Sequence, residues 1–306
     1  MIHFTHILCP VDLTDLSVRP LAYAGRLAGQ HHAKLTALHV VPTFEPTEVR
    51  TGALFDPVRV VEPLPREAVL EALGRALEAA GVSTANVTLA AEVGQAAETI
   101  VARALALKAD LLVMSTHGRH GVDRLILGSV TEEVLQKAPC PVLTLPPHAP
   151  AHPPADAAFD RILCPVDFSP AAKRAVGFAL DLAAQGDASV TFVHVLEWLA
   201  EGKPRAHAHF DVTEYREYMK QDARDQMQAL IAEAGRTPSG TEPRVVVGRA
   251  HREILRIAAE ETADLIVMGA QGRGGPGLTL FGSTTQQVVR AAPCPVLTVR
   301  GETIAP

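Results

Sequence analysis

Glycines cluster in a loop between an apolar run and a helix-like run in the later part of the sequence. Gly269 and Gly272 follow the run "ADLIVM", and nine residues after Gly272 the pair Gly282-Ser283 opens "GSTTQQVV". Glycine has no Cβ, so an anion can approach its backbone closely. A Gly-Ser pair at the start of a helix also offers free N–H groups, a hydroxyl and the positive end of the helix dipole. Phosphate is the ligand that this chemistry favours.

The same spacing occurs earlier in the chain. Ser115 and Gly118 are followed, again after nine residues, by the pair Gly128-Ser129. Between the glycines lie arginines that could contact the outer phosphates of a nucleotide: Arg119 and Arg124 in the earlier loop, and Arg273 in the later loop.

Both loops also have an interpretation that needs no ligand. Ser129 with Glu132, and Ser283 with Gln286, fit the capping box of a helix start. Glycines after a strand are also common in turns. No Gly-Lys-Ser or Gly-Lys-Thr follows the glycines, which excludes a Walker loop, and the dinucleotide fingerprint belongs after a first strand. Phosphate binding and simple turn formation both remain open at this point.

Two acidic and two histidine positions recur with the loops. Asp12 and Asp167 each follow "CPV", where the carboxylate could contact a ligand or cap the following helix. His39 and His194 each lie at the end of a strand-like run, and a hydrogen bond to the backbone is the role we expect for them. A pair of histidines, His207 and His209, has no counterpart elsewhere in the chain, and two ligands do not complete a metal site.

The chain consists of two copies of one domain. "ILCPVDLTDLS" returns as "ILCPVDFSPAA", and "GSVTEEVLQKAPCPVLTL" returns as "GSTTQQVVRAAPCPVLTV". The offset is 155 residues early in the copies and 154 late. We therefore predict one domain over residues 1–146, a Pro/Ala-rich linker over 147–158 and a second domain over 159–306.

Each copy alternates strand-like and helix-like runs. "HILCPVD", "KLTALHVV", "VTLAAEV", "DLLVMS" and "PVLTL" have the length and composition of buried strands, and the runs between them have helical periodicity. Gly81 stands where a glycine ends a helix. Alternation of this kind predicts a parallel α/β sheet, which binds ligands beyond the carboxyl ends of its strands. The aspartates and the glycine loops both fall at those ends.

Composition narrows the class of protein. The 306 residues are 47% hydrophobic but only 4% aromatic, as in aliphatic sheets covered by helices. A net charge of −6 argues against nucleic-acid binding through a basic surface. No apolar run is long enough to span a membrane, and the N-terminal segment does not resemble a secretion signal, so we expect a soluble, cytoplasmic protein. The four cysteines, each in "CPV", are expected to be buried, free thiols.

The combination of "PVDFS", the spacing G-x2-G-x9-G-S and the closing "APCPVLTV" resembles the universal stress protein family, twice over along nearly the whole chain. The resemblance implies two Rossmann-like α/β domains, each with five parallel strands in the order 3-2-1-4-5. It implies an adenine-nucleotide site, often for ATP, here with or without Mg²⁺. It also implies pairing through the fifth strands, within one chain or in a homodimer.

The resemblance also implies which residues form the nucleotide sites. In the second copy these are Pro165, Val166 and Asp167 on the adenine and ribose side, Val195 and Met268 beside the base, and Gly269, Gly272, Gly282, Ser283 and Thr284 at the phosphates. In the first copy they are Pro10, Val11, Asp12, Val40, Met114, Gly118, Gly128, Ser129 and Val130. We add Arg273 and Arg119 for their charge, and Ser115 for its place in the motif. Ser115 departs from the family motif, which has glycine there.

Three functions are compatible with these patterns. The first is a stress-response regulatory protein that binds ATP and hydrolyses it slowly at most. The second is an enzyme of the same superfold, but neither a His-x-Gly-His run nor a Ser-Gly-Gly-x-Asp-Ser loop is present. The third is a ligand-free scaffold that assembles through its fifth strands. Of the two sites we expect the second to bind more tightly, because Glu132 and Glu133 in the first copy are replaced by Gln286 and Gln287.

Overall fold

The computed structural model describes residues 2–43, 65–116, 127–147, 149–150, 159–197, 212–235, 241–272 and 281–301. The described part of the first half contains β1 (His6–Pro10), α1 (Val18–His31), β2 (Lys34–Val41), α2 (Arg66–Ala79), β3 (Val87–Val93), α3 (Ala96–Leu107), β4 (Leu111–Ser115), α4 (Ser129–Lys137) and β5 (Val142–Leu145). The second half repeats them: β6 (Arg161–Pro165), α5 (Pro170–Gly186), β7 (Ser189–Leu196), α6 (Val212–Glu233), β8 (Glu242–Val247), α7 (Ala250–Glu260), β9 (Leu265–Gly269), α8 (Ser283–Ala291) and β10 (Val296–Val299).

All ten of these strands form one sheet in the order β3-β2-β1-β4-β5-β10-β9-β6-β7-β8. Each half therefore has the predicted order 3-2-1-4-5 with parallel neighbours. The halves meet where β5 pairs antiparallel with β10, and this pairing sets Leu143 opposite Leu297. The predicted fold class, including pairing through the fifth strands, is confirmed.

The core forms two layers because successive strand residues point to opposite faces of the sheet. Ile7 and Cys9 of β1 belong to the layer that contains residues of α1, α2, α5 and α6, whereas Leu8 between them belongs to the layer with residues of α3, α4, α7 and α8. Each layer contains residues of both halves, so each runs continuously from one half into the other.

Polar side chains support the central strand pair and the facing helices. The Thr144 hydroxyl donates to the Val296 carbonyl and the Thr298 hydroxyl donates to the Val142 carbonyl, both at 3.2 Å. Nearby, the amide of Gln286 on α8 donates to Glu132 on α4 over 2.8 Å. The last contact joins residues that the duplication made equivalent but that now differ in type.

Gly81 ends α2 as its sequence position predicts. Its φ is positive, in the left-handed region that suits glycine. The Gly81 N–H donates to the Glu78 carbonyl and the Val82 N–H to the Leu77 carbonyl, both at 3.0 Å. This is the Schellman pattern. The carbonyls at the end of α2 are therefore satisfied by the backbone itself.

The four cysteines are free and buried, as predicted. Burial raises the pKa of the Cys140 and Cys294 thiols to about 12, and it also raises the pKa of Cys9 and Cys164. These side chains behave as small core residues.

In the described part of the chain, no helix combines the length and apolarity needed to cross a membrane. The same described residues contain no group of three or more His, Cys, Asp or Glu side chains placed to hold a metal ion. His207, His209 and most of the linker lie outside the described residues. The domain bounds, the cytoplasmic location and a homodimer stay predictions.

Candidate functional site

A cavity of about 600 Å³ opens beyond the carboxyl ends of β6, β7 and β9. Strand β6 lies between β7 and β9, and first-turn residues of α7 and α8 are part of the wall. The lining comprises Pro165, Val166, Asp167, Ala172, Val193, His194, Val195, Glu197, Ala250, Ile254, Met268, Gly269, Gln271, Gly272, Phe281, Gly282, Ser283, Thr284 and Thr285. Every described residue that the family resemblance assigns to the second site is in this wall.

Asp167 organises the turn that leads from β6 into α5. One carboxylate oxygen accepts from the Ser169 N–H at 3.0 Å and from the Ser169 hydroxyl at 2.6 Å. Ser169, not Asp167, is the N-cap of α5, because its hydroxyl oxygen accepts from the Ala172 N–H at 3.2 Å. The simple capping role considered for Asp167 is therefore wrong in detail.

Asp167 also packs against the glycine loop. A Cβ added to Gly272 would lie 2.7 Å from Oδ2 of Asp167, closer than real Cβ contacts occur. Glycine at position 272 thus lets the carboxylate and the loop backbone lie side by side. In the first half, Asp12 organises the corresponding turn after β1. It accepts hydrogen bonds from the Thr14 N–H and from the hydroxyls of Thr14 and Ser17.

The start of α8 has no side-chain cap. Its N-cap is Gly282, and Ser283 is already the first helical residue. The same holds for Gly128 and Ser129 at the start of α4. The capping-box interpretation is wrong for both helices, because a serine inside the helix cannot act as its N-cap. The N–H groups that begin α8 therefore face the cavity without a side-chain acceptor from their own cap residue.

Threonines that the sequence analysis missed tie these helices to the sheet. The Thr285 hydroxyl donates to the Gly269 carbonyl at 2.9 Å, and the Thr131 hydroxyl donates to the Ser115 carbonyl at 3.0 Å. Each bond joins the first turn of a helix to the end of a strand 16 residues earlier. Recurrence of threonine at both positions was a usable signal.

Apolar side chains also line the cavity. Val195 and Met268 were expected in the wall, and the first turn of α7 adds Ala250 and Ile254, which the sequence pattern did not indicate. Next to them is Glu197, whose Oε1 accepts from the Ala250 N–H at 2.8 Å. The N-terminus of α7 thus already binds a carboxylate from the neighbouring strand end.

The histidines bind the backbone, as predicted. Nδ1 of His194 donates to the Val166 carbonyl at 2.6 Å, and Nδ1 of His39 donates to the Val11 carbonyl at 2.7 Å. The His194 ring also contacts the Phe168 ring, with 4.7 Å between the ring centroids. These bonds connect the end of the second strand of each half to the turn that carries the aspartate.

The first half places its predicted site residues in equivalent positions. Pro10, Val11 and Asp12 end or follow β1, Val40 lies near the end of β2, Met114 and Ser115 end β4, and Gly128, Ser129 and Val130 begin α4. Gly118, Arg119 and Arg273 lie outside the described residues. The assignment of these residues to ligand binding stays a prediction in both halves.

Gly269 marks a structural difference between the halves. A Cβ at this position would lie 2.9 Å from the backbone nitrogen of Ala172 and 3.0 Å from the Ala171 carbonyl carbon. Ser115 occupies the equivalent position of the first half and does carry a Cβ. There the helix after the first strand begins at Val18, after a 3-10 turn at Asp15–Ser17, whereas α5 begins at Pro170, the position equivalent to Asp15.

Replacing Gly269 by alanine is expected to lower the free energy of unfolding by about 1–3 kcal/mol, because the first turn of α5 must move away from the added methyl group. Gly177→Ala in the same helix is the control, since a Cβ there meets nothing within 4 Å and should stabilise the helix by up to about 1 kcal/mol. Urea unfolding of both variants measures the difference. Equal stabilities would contradict the close approach of α5 to the loop.

The chain is similar to proteins of one family. The family model described as "Universal stress protein family" matches residues 3–146 and again 158–300. A universal stress protein of Mycolicibacterium smegmatis is 26% identical over 308 residues, covering 96% of each chain. One from Thermus aquaticus is 36% identical over 140 residues, covering 46% of this chain and 97% of its own length. The crystal structure of a universal stress protein from Archaeoglobus fulgidus, 22% identical, has a TM-score of 0.63 and covers 96% of both chains.

Proposed function

Because the chain belongs to the universal stress protein family, with two copies of the domain in tandem, we propose that it is a stress-response regulatory protein that binds ATP, with or without Mg²⁺. The observation that carries this proposal is the cavity of the second half, whose wall combines a helix N-terminus without a side-chain cap with several apolar side chains. A nucleotide has the matching polarity, with an anionic end and an aromatic end.

The phosphates fit the α8 end of the cavity. The N–H groups of Ser283 and Thr284 begin the helix, and the dipole of α8 favours negative charge there. Gly269, Gly272 and Gly282 line the cavity with backbone alone. The ribose would then lie near Asp167, whose carboxylate can accept hydrogen bonds from hydroxyl groups.

Hydrolysis of the bound nucleotide is proposed to be slow at most. The described wall carries three titratable side chains, and each already holds a local contact. Asp167 accepts from Ser169, His194 donates to the Val166 carbonyl, and Glu197 accepts from the Ala250 N–H. Groups held in this way position the turns and the helix around the cavity. Rapid turnover of ATP would instead favour an enzyme of the same superfold.

The test of the proposal is a thermal shift with ATP·Mg²⁺. A ligand that binds only the folded protein at 100 times its Kd stabilises it by about 2.7 kcal/mol, so Tm should rise by several degrees at millimolar ATP. Tripolyphosphate and adenosine, each with one half of the nucleotide, are the controls and should shift Tm less. No shift with ATP, together with no co-purified adenine nucleotide in native mass spectrometry, would favour the ligand-free scaffold.

A further inference from the structure

Glu197 distinguishes the cavity of the second half from the first half. It directly follows β7, lies in the cavity wall beside Ala250 and Ile254, and is solvent-exposed. Its Oε1 is held by the Ala250 N–H at 2.8 Å. The equivalent residue of the first half is Pro42, which has no polar side chain. The carboxylate therefore belongs to one site only.

The carboxylate of Glu197 makes the wall at α7 unfavourable for an anion and so distinguishes it from the wall at α8. Two helices, α7 and α8, begin in the wall of the cavity, and the N-terminus of each would attract an anion. The N-terminus of α7 already binds Glu197, which would repel a phosphate, whereas α8 begins at Gly282 without a side-chain cap. The ends of β7 and β9 are not adjacent, because β6 lies between them. A nucleotide would thus place its phosphates at α8 and its base at α7 and Glu197.

We propose that the second carboxylate oxygen of Glu197 reads the exocyclic group of the base and selects adenine over guanine at the second site. This inference rests on the proposed nucleotide binding. A carboxylate only accepts hydrogen bonds. Adenine presents an amino donor at position 6, and guanine presents a carbonyl acceptor there. Where Glu197 meets position 6, it accepts a hydrogen bond from adenine and is repelled by the carbonyl of guanine. The N–H and amino donors of guanine lie at positions 1 and 2, so a preference for GTP would show that Glu197 meets those positions instead and would overturn the inference. The first site, with Pro42, lacks this means of discrimination.

The test compares ATP with GTP as competitors of a ribose-labelled fluorescent ATP, which leaves the base unmodified. The full chain carries Gly128→Val in all samples, so that the second site alone is measured. Glu197→Gln keeps an oxygen for the Ala250 N–H but can turn an N–H₂ group toward the base, which suits guanine. The control is Glu260→Gln, the same change in charge at the far end of α7, where Glu260 pairs with Arg256.

The parent protein is expected to prefer ATP over GTP by about tenfold or more, and Glu197→Gln should reduce that ratio by about tenfold, while Glu260→Gln leaves it unchanged. An unchanged ratio in Glu197→Gln, with ATP still bound, would overturn the inference and leave the proposed function intact. Equal loss of both nucleotides would also overturn it, by showing that Glu197 only positions α7. If the parent binds neither nucleotide, the proposed function itself fails.

Discussion

Replacing Gly282 by valine is expected to weaken ATP binding at the second site by about 100-fold or more and to leave the fold intact. Gly282 has an extended backbone conformation with negative φ, which valine adopts without strain. A Cβ there would lie 3.3 Å from the Thr285 hydroxyl and 3.5 Å from the Ala270 carbonyl oxygen, contacts that small shifts accommodate. The two added methyl groups would crowd the N–H groups that begin α8.

The size of this effect follows from the contacts at stake. Hydrogen bonds between N–H groups and a charged phosphate are worth about 1.5–3 kcal/mol each, so losing two costs about 3 kcal/mol or more. Isothermal titration calorimetry with ATP measures it, with circular dichroism to verify the fold. Retention of the parent affinity by a folded Gly282→Val protein would show that phosphates do not bind at α8.

Gly128→Val is the matched variant and ranks the two sites. In the first turn of α4, Glu133 pairs with Lys137 at 2.7 Å, and Glu132 accepts from Gln286 of α8 at 2.8 Å. In that pair α4 carries the charged carboxylate, which opposes a phosphate, and α8 carries the neutral amide. We therefore expect the second site to be tighter by about 1 kcal/mol. If the tighter of the two dissociation constants remains in Gly282→Val and is lost in Gly128→Val, the first site is the tighter one.

Replacing Leu297 by alanine is expected to lower the free energy of unfolding by about 2–5 kcal/mol. Leu297 is only 3% exposed and lies opposite Leu143, at the junction of the two halves. Both leucines belong to a hydrophobic cluster that contains residues of both halves. The variant should therefore lower the stability of the whole chain and not of the second half alone.

The control for this variant is Val93→Ala at the outer edge strand, where Val93 is 70% exposed and the expected change is within about 0.5 kcal/mol. The Leu143→Ala variant and the double variant complete a double-mutant cycle. Because the two leucines are direct partners, the changes in the free energy of unfolding of the two single variants should not add up to that of the double variant. Urea unfolding followed by circular dichroism gives all four free energies. A loss in Leu297→Ala no larger than in Val93→Ala would contradict the burial of the junction.

The fold could be predicted from the sequence because short apolar runs mark the strands and because these runs recur in both copies. Apolar runs recur at matching places with few changes, "HILCPVD" as "RILCPVD" and "ADLLVM" as "ADLIVM", and the strand order followed from the family resemblance. The aspartates and the glycine loops could be placed together because parallel strands end at one edge of the sheet.

The residues that could not be predicted from the sequence are brought to the site by tertiary packing. Glu197 and Ala250 are 53 residues apart, and only the folding of α7 onto β7 brings them together. The capping box failed because the pattern of serine followed by Glu or Gln does not show which residue begins the helix. The glycine before each serine took that place, at Gly128 and Gly282.

The bond between Gln286 and Glu132 has a consequence for how such a chain evolves. Two first halves joined in the same way would set one carboxylate against another, and two second halves would lose the charge-assisted bond. At this contact each copy is therefore matched better by the unlike copy. Covalent fusion keeps the two unlike partners at a fixed one-to-one ratio.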